Sequence, residues 1–179
     1  SYTIVSPHVF GGQVLAQAVN AAYRTIPENR FLHSLHGYFL EAGDLTVPIH
    51  YKVEEMRSGG SFSTRRVTAI QKEKSIFILA ASFHIKEDGF EHQTNFDPNI
   101  KQPEELLSWD DMLAQFGAFL PKSTKEFLSV KRPIEFKPVK VPNPLDPKDL
   151  PATEQVWFRL KGEKKDLDYR TKQEILTYI

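Results

Sequence analysis

The sequence predicts an α+β fold in which one helix lies against a curved antiparallel sheet. Two patterns point to it. Val14, Leu15, Ala18, Val19 and Ala22 recur at the spacing of one helix face. The stretch from Phe31 to Ile85 then falls into four β-rich segments separated by turn-forming residues. A helix followed by a run of strands on short turns is the order expected when the helix covers one sheet face.

The periodic segment predicts a helix over Gly12–Thr25, ended by Pro27, which cannot continue the backbone ladder. Ala16, Ala18, Ala21 and Ala22 give it a thin surface that can approach another element closely. Strands are expected at Phe31–Leu40, at Ile49–Met56 (close to strict alternation), at Ser61–Gln71 and at Ile76–Ile85. Lys72-Glu73-Lys74 supplies the last turn. Ser58-Gly59-Gly60 supplies the one before it, where glycine is free to take positive φ. The last three strands form a meander.

Composition then changes. Residues 1–92 hold seven of the nine glycines, and residues 97–151 hold nine of the twelve prolines. The organisation predicted is therefore an N-terminal domain over 1–95, a Pro-rich linker with a short helix over 96–152, and the first strand and helix of a second domain over 153–179. Within the linker, Leu106, Leu107, Met112, Leu113 and Phe116 predict a helix over Glu104–Phe119, and Ile134–Val139 is extended. Gln155–Leu160 reads as a strand and Leu167–Ile179 as a helix. Neither of these last two can bury an apolar face alone. Residues 155–179 are therefore expected to pack on a partner sheet from further chain or another subunit. Uncovered sheet edges also predict self-association.

Charge and composition exclude several classes. Lysine plus arginine equals aspartate plus glutamate, 23 against 23, so there is no electrostatic footprint for nucleic acid or an anionic membrane. With no cysteine, disulfides, thiolate metal sites and a cysteine nucleophile are out, which fits a reducing compartment. No apolar run is long enough to span a bilayer, and Ser1–Pro7 lacks the basic and apolar regions of a signal peptide. Nucleophile-elbow, phosphate-loop and dinucleotide fingerprints are missing: Gly59-Gly60-Ser61-Phe62-Ser63 lacks the closing glycine. His33 and His36, three apart on a strand, are expected on opposite faces and so form no metal pair.

Three segments carry chemical information. Gly11-Gly12-Gln13 at a helix start allows close backbone approach, and the N–H groups of the first turn can polarise a carbonyl oxygen or hold an anion. The same glycines also suit a tight turn into a packed helix. His33–Leu40 places histidines on a strand, either as acid–base groups or as core histidines bonded to backbone. Gly37 within it signals a bulge or close approach. Ser61, Ser63 and Arg65 share one strand face and Phe62, Thr64 and Arg66 the other. One face either lines a pocket, with an arginine on a phosphate, or is solvated.

These segments in order resemble the acyl-CoA thioesterase II family. The matching residues are Val9–Ala18, His33–Leu40, Gly43-Asp44, Ser61–Val67, Ile76-Phe77, Ala81–Phe83 and Gly89–Gln93, with Trp157–Arg159 and Ile175–Ile179 in the tail. The resemblance implies a hotdog fold, a sheet wrapped around a helix, paired with a second hotdog in one chain. It implies hydrolysis of fatty acyl-CoA to free acid and CoA, with no metal and no cofactor. The family's catalytic aspartate, serine or threonine, and glutamine lie in the second hotdog. The aspartate just follows the segment matching Leu176–Ile179, so no residue here inherits a catalytic role, and Asp166 and Asp168 lie too early. Residues 1–179 alone are accordingly expected to be inactive. Substrate contacts are expected from Gly11, Gly12, Gln13, His36, Ser61, Phe62, Ser63 and Arg65. His8 stands where an arginine is more usual. Partners implied are acyl-CoA and further copies of the chain through the hotdog sheets, with no nucleic acid and no membrane insertion, in the cytoplasm or a peroxisome. A non-catalytic acyl-CoA or acyl-carrier binding module is the alternative.

Overall fold

The paired glycines open α1 (Gly11–Tyr23) in the computed structural model of the protein, which describes residues 7–141, 152–162 and 166–179. β1 (Arg30–Phe39), β2 (His50–Ser58), β3 (Phe62–Gln71) and β4 (Lys74–Ile85) follow. After them come α2 (Trp109–Phe116), α3 (Lys122–Ser129), β5 (Ile134–Pro138), β6 (Val156–Leu160) and α4 (Tyr169–Tyr178). The described residues form two units, 7–90 with 166–179, and 91–141 with 152–162.

In the first unit the sheet order is β1-β4-β3-β2, antiparallel throughout. α1 covers one face, with Val14, Ala18, Val19, Ala22 and Tyr23 buried against Val67, Ala69, Leu79, Ala81 and Phe83. Ala18 and Ala22 are completely buried; lacking bulk, they let the helix lie close to the sheet. Tyr23 meets Phe83 edge-on at 5.0 Å. Gly37 is a close-approach position, because a Cβ there would stand 2.7 Å from the Phe77 ring.

Alternation along β1 breaks at a register shift between Leu32 and Ser34. Leu32 and Leu35, three apart, both contribute to the core. His33 and His36 are consequently both exposed. His33 bonds Ser82 Oγ through Nε2 at 2.9 Å, and His36 stacks edge-on with Tyr38 at 4.8 Å. The expected opposite-face placement of the two histidines, and the core-histidine reading, fail on this one bulge. Turn chemistry is also redistributed. Neither Gly59 nor Gly60 takes positive φ, whereas Lys72 (φ 48°) and Glu73 (φ 64°) do. Gln71 pairs directly with Lys74, so this is a two-residue hairpin that requires left-handed residues.

Arg65 lies inside this unit, 1% exposed. Its Nε donates to Thr25 Oγ1 (2.9 Å) and Nη2 to Thr25 O (2.9 Å) and Ser58 Oγ (3.0 Å). Its Nη1 donates to Arg57 O (2.7 Å) and Thr64 O (3.1 Å). Arg30, also buried, donates through Nη1 to Ser63 Oγ (2.5 Å) and through Nη2 to the carbonyls of Gly59 (2.5 Å) and Gly60 (2.8 Å). The two guanidinium groups thus satisfy the carbonyls of the glycine turn and of the chain leaving α1.

α4, N-capped by Asp168 through Thr171 N (3.0 Å), packs on α1 within the same unit. β6 pairs with β5 in the second unit, from Ile134 opposite Leu160 to Pro138 opposite Val156. The strand and helix each find a neighbour in this chain, while the apolar side chains expected to need an outside sheet, Val156, Phe158, Leu160 and Leu176, stay exposed. The helix expected over Glu104–Phe119 is divided: Leu106 is extended (φ −113°, ψ 144°), and Ser108 and Asp111 form a reciprocal capping box that restarts the helix as α2. α3 has no counterpart in the sequence reading. Trp109 anchors this unit, stacked on Phe136 at 4.4 Å and edge-on to Phe127 at 5.1 Å. Among the described residues no helix is long and apolar enough to cross a membrane.

Replacing Arg65 with Met should leave buried carbonyls at Thr25 and Arg57 without donors and cost about 2–4 kcal/mol. Urea unfolding of the variant should show a lower midpoint; an unchanged midpoint would contradict the role given to the guanidinium.

Candidate functional site

The start of α1 is built around its two glycines. Phe10, the N-cap residue, is extended (φ −64°, ψ 129°), makes no side-chain cap bond, and no acidic residue occupies the first turn. The positive end of the helix dipole therefore has no side-chain carboxylate from its own first turn. Phe39, from the end of β1, lies against Gly11, where a Cβ would stand 3.0 Å from its ring. At Gly12 a Cβ would collide with the Tyr178 carbonyl oxygen and approach the Phe10 ring to 2.6 Å. Phe10 and Tyr178 themselves meet edge-on at 5.3 Å. A crevice of about 310 Å³ opens here, lined by Val9, Gly11, Val14, Phe39, Gly43 and Phe77 among others. Apolar walls beside a helix N-terminus suit an acyl group whose carbonyl oxygen needs a donor.

A larger cleft, about 800 Å³, lies at the other end of β1. Its walls include Phe31, His33, Phe62, His84 and Tyr169. Phe62 lies 4.2 Å from the His84 ring and 5.8 Å from that of His33, while Phe31 meets Tyr169 edge-on at 5.2 Å. His84 Nδ1 donates to Ile85 O at 2.7 Å, and its Nε2 is 3.5 Å from the Glu87 carboxylate. Among the described residues no group of three or more His, Asp or Glu could hold a metal ion.

The residues expected to touch substrate do not converge on one place. Gly11, Gly12 and half-buried Gln13 lie together at the start of α1. Ser61 and Phe62 lie at the far end of the sheet, Phe62 lining the larger cleft. His36 stands exposed on the sheet face opposite α1. Ser63 and Arg65 must be removed from the set: Ser63 has no exposed surface and accepts from Arg30, and every guanidinium nitrogen of Arg65 is engaged by protein oxygen. Strand alternation put Ser63 and Arg65 on one face correctly, but that face is the one beneath α1. Phe39 was missed, although its place at the end of an aromatic strand is a usable signal. Gln173 was also missed; its contacts with Leu32, across 141 residues of sequence, leave no local pattern.

Residues 2–84 match the family model described as the acyl-CoA thioesterase N-terminal domain. Acyl-CoA thioesterase 2 of Haemophilus influenzae is 43% identical over 171 residues, covering 96% of this chain and 59% of that protein. The structure of an acyl-CoA thioesterase II, TesB2, from Mycobacterium marinum is similar at TM-score 0.69 and 34% identity, over 94% of this chain and 57% of the other. A hot dog fold protein from Alicyclobacillus acidocaldarius matches at TM-score 0.69 and 15% identity, over 100% of this chain and 62% of the other, a likeness of fold. The fold is a hotdog, and the chain spans about three fifths of the length of the curated relatives it matches.

The two glycines should differ in tolerance. Alanine is ordinarily the better helix former by about 1 kcal/mol, yet at position 12 it must displace a backbone carbonyl of α4. Gly12→Ala is expected to lose about 2 kcal/mol of stability, and Gly11→Ala, which meets only a ring edge, less than about 1 kcal/mol. Equal urea midpoints for the two variants would refute the assignment of Gly12 to the α1–α4 contact.

Proposed function

We propose, from the premise that this chain belongs to the acyl-CoA thioesterase II family, that the whole protein hydrolyses fatty acyl-CoA thioesters to free acid and CoA. The observation that carries this is the start of α1: a glycine-led N-terminus, with no side-chain cap and no acid in its first turn, beside an apolar crevice. The thioester carbonyl would sit at that N-terminus, where backbone N–H groups and a dipole of about half a charge oppose the negative charge developing on oxygen. Gly11 lies on the crevice with the Phe39 ring packed where a Cβ would stand, and that ring and Val9 take up the first carbons of the acyl chain. Gln13, half-buried beside them, orients the head of the substrate. Ser61, Phe62 and His36 are proposed to contact the CoA portion. Activation of the attacking water would fall to the aspartate, hydroxyl and glutamine that the resemblance places after Ile179.

Self-association through the sheet face opposite α1 is part of the same reading, since that face exposes Tyr38 (59%) and Phe62 (44%). The full-length protein should sediment as an oligomer.

The deciding experiment is release of free thiol from acyl-CoA of several chain lengths by the full-length protein, followed with a thiol reagent. Steady turnover is expected with at least one chain length. Tight binding of a non-hydrolysable acyl-CoA, with no thiol released from any substrate, would sink the hydrolase reading in favour of a binding module.

A further inference from the structure

α4 is attached to the hotdog unit in an unusual way. Among its described residues none is buried, and Leu176 is 60% exposed. At its two ends it meets β1 and the start of α1 through rings, Tyr169 on Phe31 and Tyr178 on Phe10, and between them the contact is made by polar side chains. Asn20 Nδ2 donates to Glu174 Oε1 (3.0 Å). Arg170 donates through Nη2 to the carbonyls of Arg30 (3.0 Å) and Pro27, and its guanidinium lies 4.7 Å from the centre of the Tyr23 ring. Such a contact fixes position by hydrogen-bond geometry, whereas an apolar face can slide.

Gln173 is at the centre of that contact. Its Oε1 accepts the Leu32 amide at 3.1 Å, and its Nε2 donates to the Leu32 carbonyl at 2.6 Å. One side-chain amide thus closes both hydrogen bonds of one backbone residue, the arrangement a neighbouring strand would supply. β1 is an edge strand, and Leu32 stands beside its register shift. Tyr23 Oη completes the cluster, accepting the Leu32 amide at 2.8 Å and donating to Gln173 Oε1. Five residues further along α4, the Tyr178 carbonyl lies against Gly12.

We propose that Gln173 is a positioning residue: by standing in for a strand on the β1 edge at Leu32 it sets where α4 lies along α1, and hence where the chain leaving α4 meets the glycine-led N-terminus. The reaction in which this placement matters rests on the hydrolase reading above; the contact itself does not. A small displacement of reacting groups costs rate far more than it costs binding.

The test uses the full-length protein with two substitutions. Gln173→Ala removes both bonds. Gln173→Glu keeps the side-chain length and the acceptor for the Leu32 amide but, when ionised, removes the donor to its carbonyl. In Gln173→Ala the Leu32 amide keeps only its bond to Tyr23 Oη, which has itself lost its acceptor on Gln173, so its hydrogen exchange should accelerate about threefold, the equivalent of half a hydrogen bond. Amides of β3 and β4 should be unchanged. Thiol release should fall about 10- to 100-fold in kcat with KM held within about twofold. Gln173→Glu should show the same split with a smaller loss, which also guards against an alanine variant that folds poorly. Unchanged Leu32 exchange, faster exchange with unaltered kcat, or a change in KM alone would each overturn the proposal. Failure of the unsubstituted protein to release thiol would overturn the hydrolase reading, and the positioning role with it. That outcome is told apart because it appears before any substitution is made, and Leu32 exchange still reports whether the amide holds the edge.

Discussion

Everything in the hotdog unit depends on a cation that has been taken out of water. Arg65 is 1% exposed, and the one carboxylate near it, Glu55, stands 3.6 Å away and is itself 63% exposed. A guanidinium in that position is tolerable only if its donors are all met, and they are met by neutral oxygens, three of them backbone carbonyls. Two of the five acceptors belong to Thr25, just past the end of α1. A cation there is stabilised by the negative end of the helix dipole. Lysine could not replace it, since a single ammonium on a flexible stem cannot bridge the chain leaving α1, the β2 edge and the start of β3 at once. Arg30 holds the Gly59-Gly60 turn through Nη2 alone, and its buried Nε meets no acceptor among the described residues.

The consequence is an asymmetry along α1. Its C-terminal end is sealed by Arg65 and by Tyr23 packed on Phe83. Its N-terminal end has no side-chain cap and no acid in the first turn. Chemistry that needs a partial positive charge has only one end of this helix available. α4 respects the same polarity. Arg170 lies at the Tyr23 end of α1, and Tyr178 lies at the Gly12 end, so the two helices run antiparallel and each presents opposite dipole ends to the other. Gly12, which from sequence alone suits either a ligand or a packed helix, serves the packing. Gly11 is the one left facing the crevice.

The helix, the four strands and their turns were legible because each depends on local spacing: Val14, Ala18, Val19 and Ala22 on the helical repeat, and Val67 and Ala69 or Leu79, Ala81 and Phe83 on strict alternation. What was not legible depends on one extra residue or on distant partners. A bulge beside Leu32 moved His33 and His36 onto the same exposed side, and period-two counting has no means of anticipating it. Ser63 and Arg65 were correctly seen to share a face, but polar side chains suggested a pocket where the structure uses them as buried fasteners. The break in Glu104–Phe119 was present in the sequence as Ser108 and Asp111, a capping pair masked by the apolar run around it.

The two edges of the sheet show how differently one hazard can be handled. β2 carries Lys52, Glu54, Glu55 and Arg57, and its pairing with β3 shifts register between Glu55 and Arg57. Charge and irregularity there discourage another strand from adding. β1 has the opposite composition: Phe31, Leu32, Leu35, Tyr38 and Phe39 would invite pairing. Its protection at Leu32 is a side-chain amide from α4. Such a cap blocks strand addition there and fixes the helix that provides it, which a charged edge cannot do. Covering the aromatic edge and placing the end of α4 beside Gly12 are therefore outcomes of one contact.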